Sequence, residues 1–127
     1  MQWQKNMQLI DANVIIRCIL NDSPEMTQQA VEIIDSGAYT KPEVLAEVVY
    51  VLQKVYSIQR PQIKDMLTDI LEVVHCSEKQ SVLFAINLYA SISLDFVDCL
   101  LIAYHIINHE KIFSFDKKLN SHLDRPS

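Results

Sequence analysis

Few folds can accommodate the run Cys99-Leu100-Leu101-Ile102-Ala103-Tyr104-His105-Ile106-Ile107, in which only His105 is strongly polar. A helix that is apolar all round is expected to be buried all round. This one is too short to span a bilayer, so the sequence predicts a core helix of a soluble domain. Just before the run, Leu94-Asp95-Phe96-Val97-Asp98 sets two carboxylates three residues apart, on one face of the first helical turn. Asp98 then has Leu94, Leu101 and Ile102 as helical neighbours. A carboxylate in such company costs roughly several kcal/mol unless it is protonated, hydrogen-bonded or bound to a cation. One resolution is capping, with Asp95 at the N-cap and Asp98 at N3, where the helix dipole favours both. The other is a cation site. The helix alone leaves both open.

At 127 residues, 50% of them hydrophobic and 21% charged, the chain is expected to form a single globular domain over 1–127 with one sizeable core. A lone glycine, Gly37, excludes a Gly-rich phosphate loop. Met1-Gln2-Trp3-Gln4-Lys5-Asn6 has no basic-then-apolar signal pattern. Cys18, Cys76 and Cys99 sit in apolar segments without a C-x-x-C pair, and read as reduced core residues of a cytoplasmic protein. A formal net charge of -5 argues against simple electrostatic wrapping of nucleic acid. It leaves room for an acidic enzyme site that gathers metal ions before it meets phosphate.

Four strand candidates alternate with helices: Met7–Ile10, Ala38–Thr40, Val73–Cys76 and Lys111–Phe115. A short apolar helix covers Val14–Leu20. Ser23-Pro24 restarts the chain as a second helix that stops at Gly37, with Ser23 as N-cap and Pro24 at N1. Pro42 opens a helix to about Tyr56, and Arg60-Pro61 opens another to about Leu71. Ser77-Glu78-Lys79-Gln80 reads as a capping box before a helix to about Ile92, and a last short helix begins at Asp116. No hairpin signal appears. The pattern predicts an α/β fold, an α/β/α sandwich on a mainly parallel sheet.

Open parallel sheets bind ligands beyond the carboxyl ends of their strands. Asp11 follows the first expected strand and Asp116 the last. Taken singly, such aspartates are ordinary caps or turn formers. Glu47 lies inside a helix among Val44, Tyr50 and Val51, either with its head in water or above the sheet edge facing the aspartates. If Asp11, Glu47, Asp98 and Asp116 converge, their repulsion calls for a hard divalent cation such as Mg²⁺ or Mn²⁺. Such a site suits phosphoryl chemistry.

These residues resemble the PIN-domain nucleases, and among them the VapC-type toxins of toxin–antitoxin pairs. The likeness rests on Leu9-Ile10-Asp11-Ala12-Asn13-Val14, on Leu45-Ala46-Glu47-Val48, on Asp95 through Ala103, and on Phe113-Ser114-Phe115-Asp116-Lys117-Lys118-Leu119. The resemblance implies a PIN-like three-layer sandwich and a Mg²⁺- or Mn²⁺-dependent endoribonuclease that cleaves RNA phosphodiesters with metal-activated water. It implies that Asp11, Glu47, Asp98 and Asp116 form the metal site, with Asp95 accessory, Asn13 orienting Asp11 and Ser114 steadying Asp116. A homodimer and a small cognate antitoxin are further implications. A PIN nuclease with a housekeeping RNA role would carry the same residues.

Arg17, Lys54, Arg60, Lys117 and Lys118 are the candidates for gripping RNA, although Lys117 and Lys118 also fit a solvated helix face. His75, His105, His109 and His122 lack a third ligand at metal-binding spacing. Trp3 is a candidate edge or dimer contact. Tyr50, Tyr56 and Tyr104 sit among apolar neighbours as core or rim. A receiver-type phosphoacceptor of similar length would want an Asp after a middle strand and a Lys after a late one. Here Glu47 lies inside a helix and Asp116 stands where that Lys belongs. A partner-binding domain without activity would have no need of all four acids.

Overall fold

A computed structural model describes residues 7–123, so Trp3 lies outside the described residues. The chain divides into two compact units, Met1–Ser77 and Glu78–Ser127.

In the first unit, Gln8–Leu9 (β1) and His75–Cys76 (β3) flank Ala38–Thr40 (β2) in a parallel sheet of order β1-β2-β3. Gln8 pairs with Ala38 and Leu9 with Tyr39, while Tyr39 pairs with His75 and Thr40 with Cys76. Parallel neighbours require crossovers. Ala12–Leu20 (α1) and Pro24–Asp35 (α2) supply the first, and Pro42–Lys54 (α3) and Arg60–Ile70 (α4) the second. The expected α/β class with a parallel sheet holds, with more helix than strand.

Local chemistry explains the boundaries. Pro24, Pro42 and Pro61 each sit in the first turn of a helix, where a missing N–H costs nothing. Gly37, at φ 108°, makes the turn from α2 into β2 that a side chain would resist. The third strand is shorter than expected because the N–H groups of Val73 and Val74 donate back to the Ile70 carbonyl, at 3.1 and 2.9 Å. That exit turn of α4 claims both residues.

The core follows the helical period. On α3, Leu45, Val48, Val49 and Leu52 are buried, while Val44 and Val51 are only half-buried and Val55, just beyond the helix, is exposed. Ile63, Leu67 and Ile70 form the buried stripe of α4, and Ile15 and Ile16 that of α1. Helix α1 packs on α2, α3 and α4, and α3 packs on α4. Tyr50, expected in the core or at its rim, is exposed.

In the second unit, Lys79–Ser91 (α5) packs along Phe96–Ile107 (α6), and Lys117–Asn120 forms the short α7. The Tyr89 ring meets Phe96 edge-on at 6.0 Å. Helix α6 is not buried all round. Phe96, Cys99, Leu100, Ile102 and Ala103 turn inward, but Val97 and Ile106 are exposed. An apolar helix in a unit this small has too few neighbours to cover its whole circumference. No helix among the described residues is long and apolar enough to cross a membrane.

Two further expectations are corrected here. The Ser77–Gln80 capping box does not form. Ser77 donates its N–H to the Thr40 carbonyl at 3.4 Å, and Glu78 is the N-cap, in a left-handed conformation (φ 57°) without a side-chain cap bond. The Glu78 carboxylate instead accepts from Asn108 Nδ2 at 3.0 Å, and Asn108 Oδ1 accepts from the buried Ser81 hydroxyl at 3.3 Å. Nor is there a strand at Lys111–Phe115 among the described residues. The polar groups near its end are taken locally. Ser114 Oγ accepts from the Asp116 N–H at 2.9 Å and the Ser114 carbonyl accepts from Asn120 Nδ2 at 2.8 Å. Phe113 and Phe115 stand exposed, edge-on to one another at 5.0 Å.

Candidate metal centre

Three of the candidate aspartates are helix N-caps. An Asp11 oxygen accepts from the Val14 N–H at 3.1 Å, one of Asp95 from Asp98 at 2.9 Å, and one of Asp116 from Leu119 at 2.9 Å. All three caps have extended backbones that lead straight into a helix. In each case Oδ1 is the cap acceptor, so the cap itself uses one of the two carboxylate oxygens. Capping and ligation are therefore compatible. The cap fixes the side chain's rotamer, and the helix dipole holds the charge.

The two roles separate by substitution. Asn caps a helix about as well as Asp, whereas Ala cannot cap. Asp11→Ala is expected to cost about 1 kcal/mol in urea unfolding, and Asp11→Asn much less. Equal losses in both variants would assign the Asp11 charge, rather than its cap, the structural role.

In the second unit Asp98 lies under the influence of two other acids. Asp98 is half-buried at N3 of α6. Its carboxyl is held above the usual carboxylate range, first by burial, then by the negative charges of Asp95 and Asp116, and by a hydrogen bond with Asp95. Asp95 and Asp116 themselves are exposed. The ionised form of Asp98 is thus disfavoured by its surroundings in the absence of a cation.

Asp11 and Glu47 belong to the first unit. Both are exposed, and neither forms an ion pair among the described residues, where Arg17–Asp22 at 2.8 Å is the salt bridge found. Glu47 stands exposed beside the buried Val48 and forms no salt bridge with a lysine among the described residues. Asn13 is exposed, and no hydrogen bond links it to Asp11 among the described residues. Ser114 does contact Asp116, through the backbone N–H described above.

By type and charge these carboxylate oxygens suit a hard divalent cation. Among the described residues no three His, Cys, Asp or Glu side chains form a ready-made metal cluster. His105 and His109 line one shallow pocket with Glu110, and the His105 ring shares a hydrogen bond with the Glu110 carbonyl at 2.8 Å.

Two of the basic candidates are already engaged. Arg17 donates to Asp22 at 2.8 Å and to the Tyr56 hydroxyl at 3.1 Å, which ties α1 to the segment following α3. Lys118 Nζ donates to both oxygens of Ser93, the carbonyl at 2.8 Å and Oγ at 2.5 Å. The Ser93 contact was not visible from sequence, because nothing local marks Ser93 as a partner of Lys118. Lys54 and Lys117 are exposed.

A family model described as PIN domain matches residues 9–122, a span that runs through both units. The chain belongs to the PIN-domain family. No curated protein and no solved structure matches it. PIN domains are nucleases that typically depend on divalent metal ions, so membership makes this chain a hydrolase candidate for nucleic-acid phosphodiesters. All four acids of the expected set fall within the matched span, as do Asp95, Asn13 and Ser114. In this PIN domain two of those four acids, Asp11 and Asp116, and the neighbouring Asp95 are helix caps, so the local fold itself specifies where they stand.

Proposed function

We propose that this PIN domain is an endoribonuclease that hydrolyses RNA phosphodiesters with Mg²⁺ or Mn²⁺, as the toxin of a toxin–antitoxin pair, and that both units form one domain. Asp11, Glu47, Asp98 and Asp116 supply the carboxylates and Asp95 assists. The observation that carries the reading is the half-buried Asp98, its carboxyl pushed up by burial and by the charges of Asp95 and Asp116, in a chain that belongs to a nuclease family. When bound, a divalent cation there would neutralise the acids, polarise phosphate oxygens and activate water.

The chain's own residues prepare that chemistry. The caps at Asp11, Asp95 and Asp116 each commit one oxygen to a backbone N–H, which fixes where those carboxylates stand. Burial and two neighbouring negative charges raise the proton affinity of Asp98, a cost that a cation would relieve. Exposed Lys54 and Lys117 are available to counter phosphate charge, a job that the overall acidity of the chain leaves to few groups. Homodimerisation and capture by a small antitoxin protein complete the proposal.

The test is cleavage of end-labelled RNA by purified protein in Mg²⁺, Mn²⁺ or EDTA, with matched single-stranded DNA alongside. Fragments that appear only with metal and only from RNA support the proposal. Equal cutting of DNA would remove the RNA assignment, and cutting in EDTA would remove the metal. Growth arrest on expression, relieved by the product of an adjacent gene, would support the toxin role; normal growth would favour housekeeping RNA processing.

A further inference from the structure

The most exposed large apolar side chains among the described residues are Phe115 and Phe113, at 90% and 80%. Their rings meet edge-on, with centroids 5.0 Å apart. Rings left in water forfeit the favourable transfer that burial brings, and an aromatic pair placed this way is a candidate binding surface. Exposure alternates along the segment: Lys111, Phe113 and Phe115 are exposed, while Ile112 and Ser114 are half-buried. That period of two puts the cation and both rings on one side of the segment. Its backbone is anchored, because the Ser114 carbonyl accepts from Asn120 Nδ2 at 2.8 Å and the Glu110 carbonyl shares a hydrogen bond with the His105 ring at 2.8 Å. Rings on an anchored backbone lose little freedom when they bind. Lys117 is also exposed, and neither its ammonium nor that of Lys111 has a partner among the described residues.

We infer that Phe113 and Phe115 are a stacking platform for the bases of single-stranded RNA, with Lys111 and Lys117 meeting its phosphates. This rests on the RNA reading above and adds to it a preference for unpaired strands. Planar rings flanked by cations match a ligand that carries planar bases on an anionic chain. Bases in a duplex are stacked on one another, so an unpaired strand is the form that offers them to a ring. Lysine is depleted from protein–protein interfaces but suits a phosphate chain, which favours nucleic acid over a protein partner. Glu110 and Asp116 neighbour the same lysines in the chain. The cations are thereby offset, and the rings carry most of the affinity. Asp116 directly follows Phe115, so a strand on the rings lies next to an acid of the proposed site.

Binding is read by fluorescence anisotropy of a labelled single-stranded RNA in EDTA and low salt, with the same strand annealed to its complement alongside. The wild type is expected to favour the single strand. Phe113→Leu and Phe115→Leu keep apolar bulk but remove the ring, and each is expected to weaken single-strand binding about 10-fold while leaving the duplex unchanged. Phe115→Trp keeps or tightens binding. Its emission is quenched by the strand beyond any change in the wild type, whose one tryptophan is Trp3. Lys111→Met and Lys117→Met each flatten the slope of log affinity against log salt by about 0.7.

Circular dichroism checks that each variant is folded; should a Leu variant unfold, the Phe115→Trp quenching decides. Unchanged single-strand affinity in folded Leu variants overturns the inference, and so does an equal loss on the duplex. Leu variants that dissociate a wild-type dimer in the ultracentrifuge, yet bind RNA as before, would make the pair a contact between copies of the chain and overturn it too. A wild type that cuts RNA with metal but shows no preference for single strands removes the platform and keeps the nuclease. A wild type that neither binds nor cuts RNA removes the RNA reading and this inference with it.

Discussion

Asp98→Asn is expected to lower metal-dependent RNA cleavage by about 10³-fold while leaving the metal-free protein at least as stable as the wild type. The rate estimate follows from several kcal/mol of charge stabilisation at a metal-assisted site, at about 1.4 kcal/mol per tenfold. The stability estimate follows from the surroundings of Asp98. Burial, and the charges of Asp95 and Asp116, hold its carboxyl above the ordinary range. Below that range the group is protonated in both folded and unfolded chains and costs nothing. As pH rises through the unfolded value toward the raised folded value, ionisation destabilises the folded state, and the penalty is complete above the folded value. Thermal melts of metal-free wild type and Asp98→Asn, taken from about pH 4 to about pH 7, should therefore diverge with the variant ahead at the upper end. Loss of an acid from N3 opposes this by only about 0.5 kcal/mol. Saturating Mn²⁺ should reverse the order by raising the wild-type melt alone. A variant that is less stable at every pH without metal would make Asp98 a structural acid.

The parts of the molecule legible in its sequence are those settled within one turn of chain. Ser23-Pro24 and Gly37 bound α2 where expected, and Asp95 with Asp98 at N3 capped α6 as the capping reading had it. Asp11 and Asp116 were equally visible, since an aspartate after an extended segment has few other local options. What escaped reading was decided by partners far along the chain. Glu78 took the cap from Ser77 because Asn108, 30 residues on, offers its amide to the Glu78 carboxylate. Lys118 looked like a solvated charge because Ser93 lies 25 residues earlier. The alternation in Lys111–Phe115 carried a true extended bias, but a strand also needs a neighbour, and Ser114 spent its polar groups on Asp116 and Asn120. Burial all round α6 failed for a related reason: apolar character measures what a helix tolerates, while its neighbours decide how much is covered.

Helix α3 allows stability and activity to be separated on one element. Leu52→Ala is expected to cost about 3 kcal/mol in urea unfolding, within the usual range for a buried leucine. Leu52 is fully buried and continues the stripe of Leu45, Val48 and Val49 that packs on α1 and α4. Deleting three carbons there leaves a void that fixed helices cannot collapse to fill. Glu47 lies on the same helix but is exposed and unpaired by salt bridge among the described residues, so Glu47→Gln should change stability by less than about 0.5 kcal/mol. If Glu47 serves the metal, cleavage should nonetheless fall by about 100-fold or more, with the loss largest at low Mg²⁺. The opposite signature, with activity per folded molecule retained and stability lost, would return Glu47 to the ranks of solvated helix charges. Leu52→Ala supplies the comparison that makes this decisive, because any activity it loses should track the folded fraction and return at lower temperature or urea. A Glu47→Gln defect that persists in fully folded protein cannot be attributed to packing, and it would place this acid, the one of the four that lies mid-helix, in the chemistry itself.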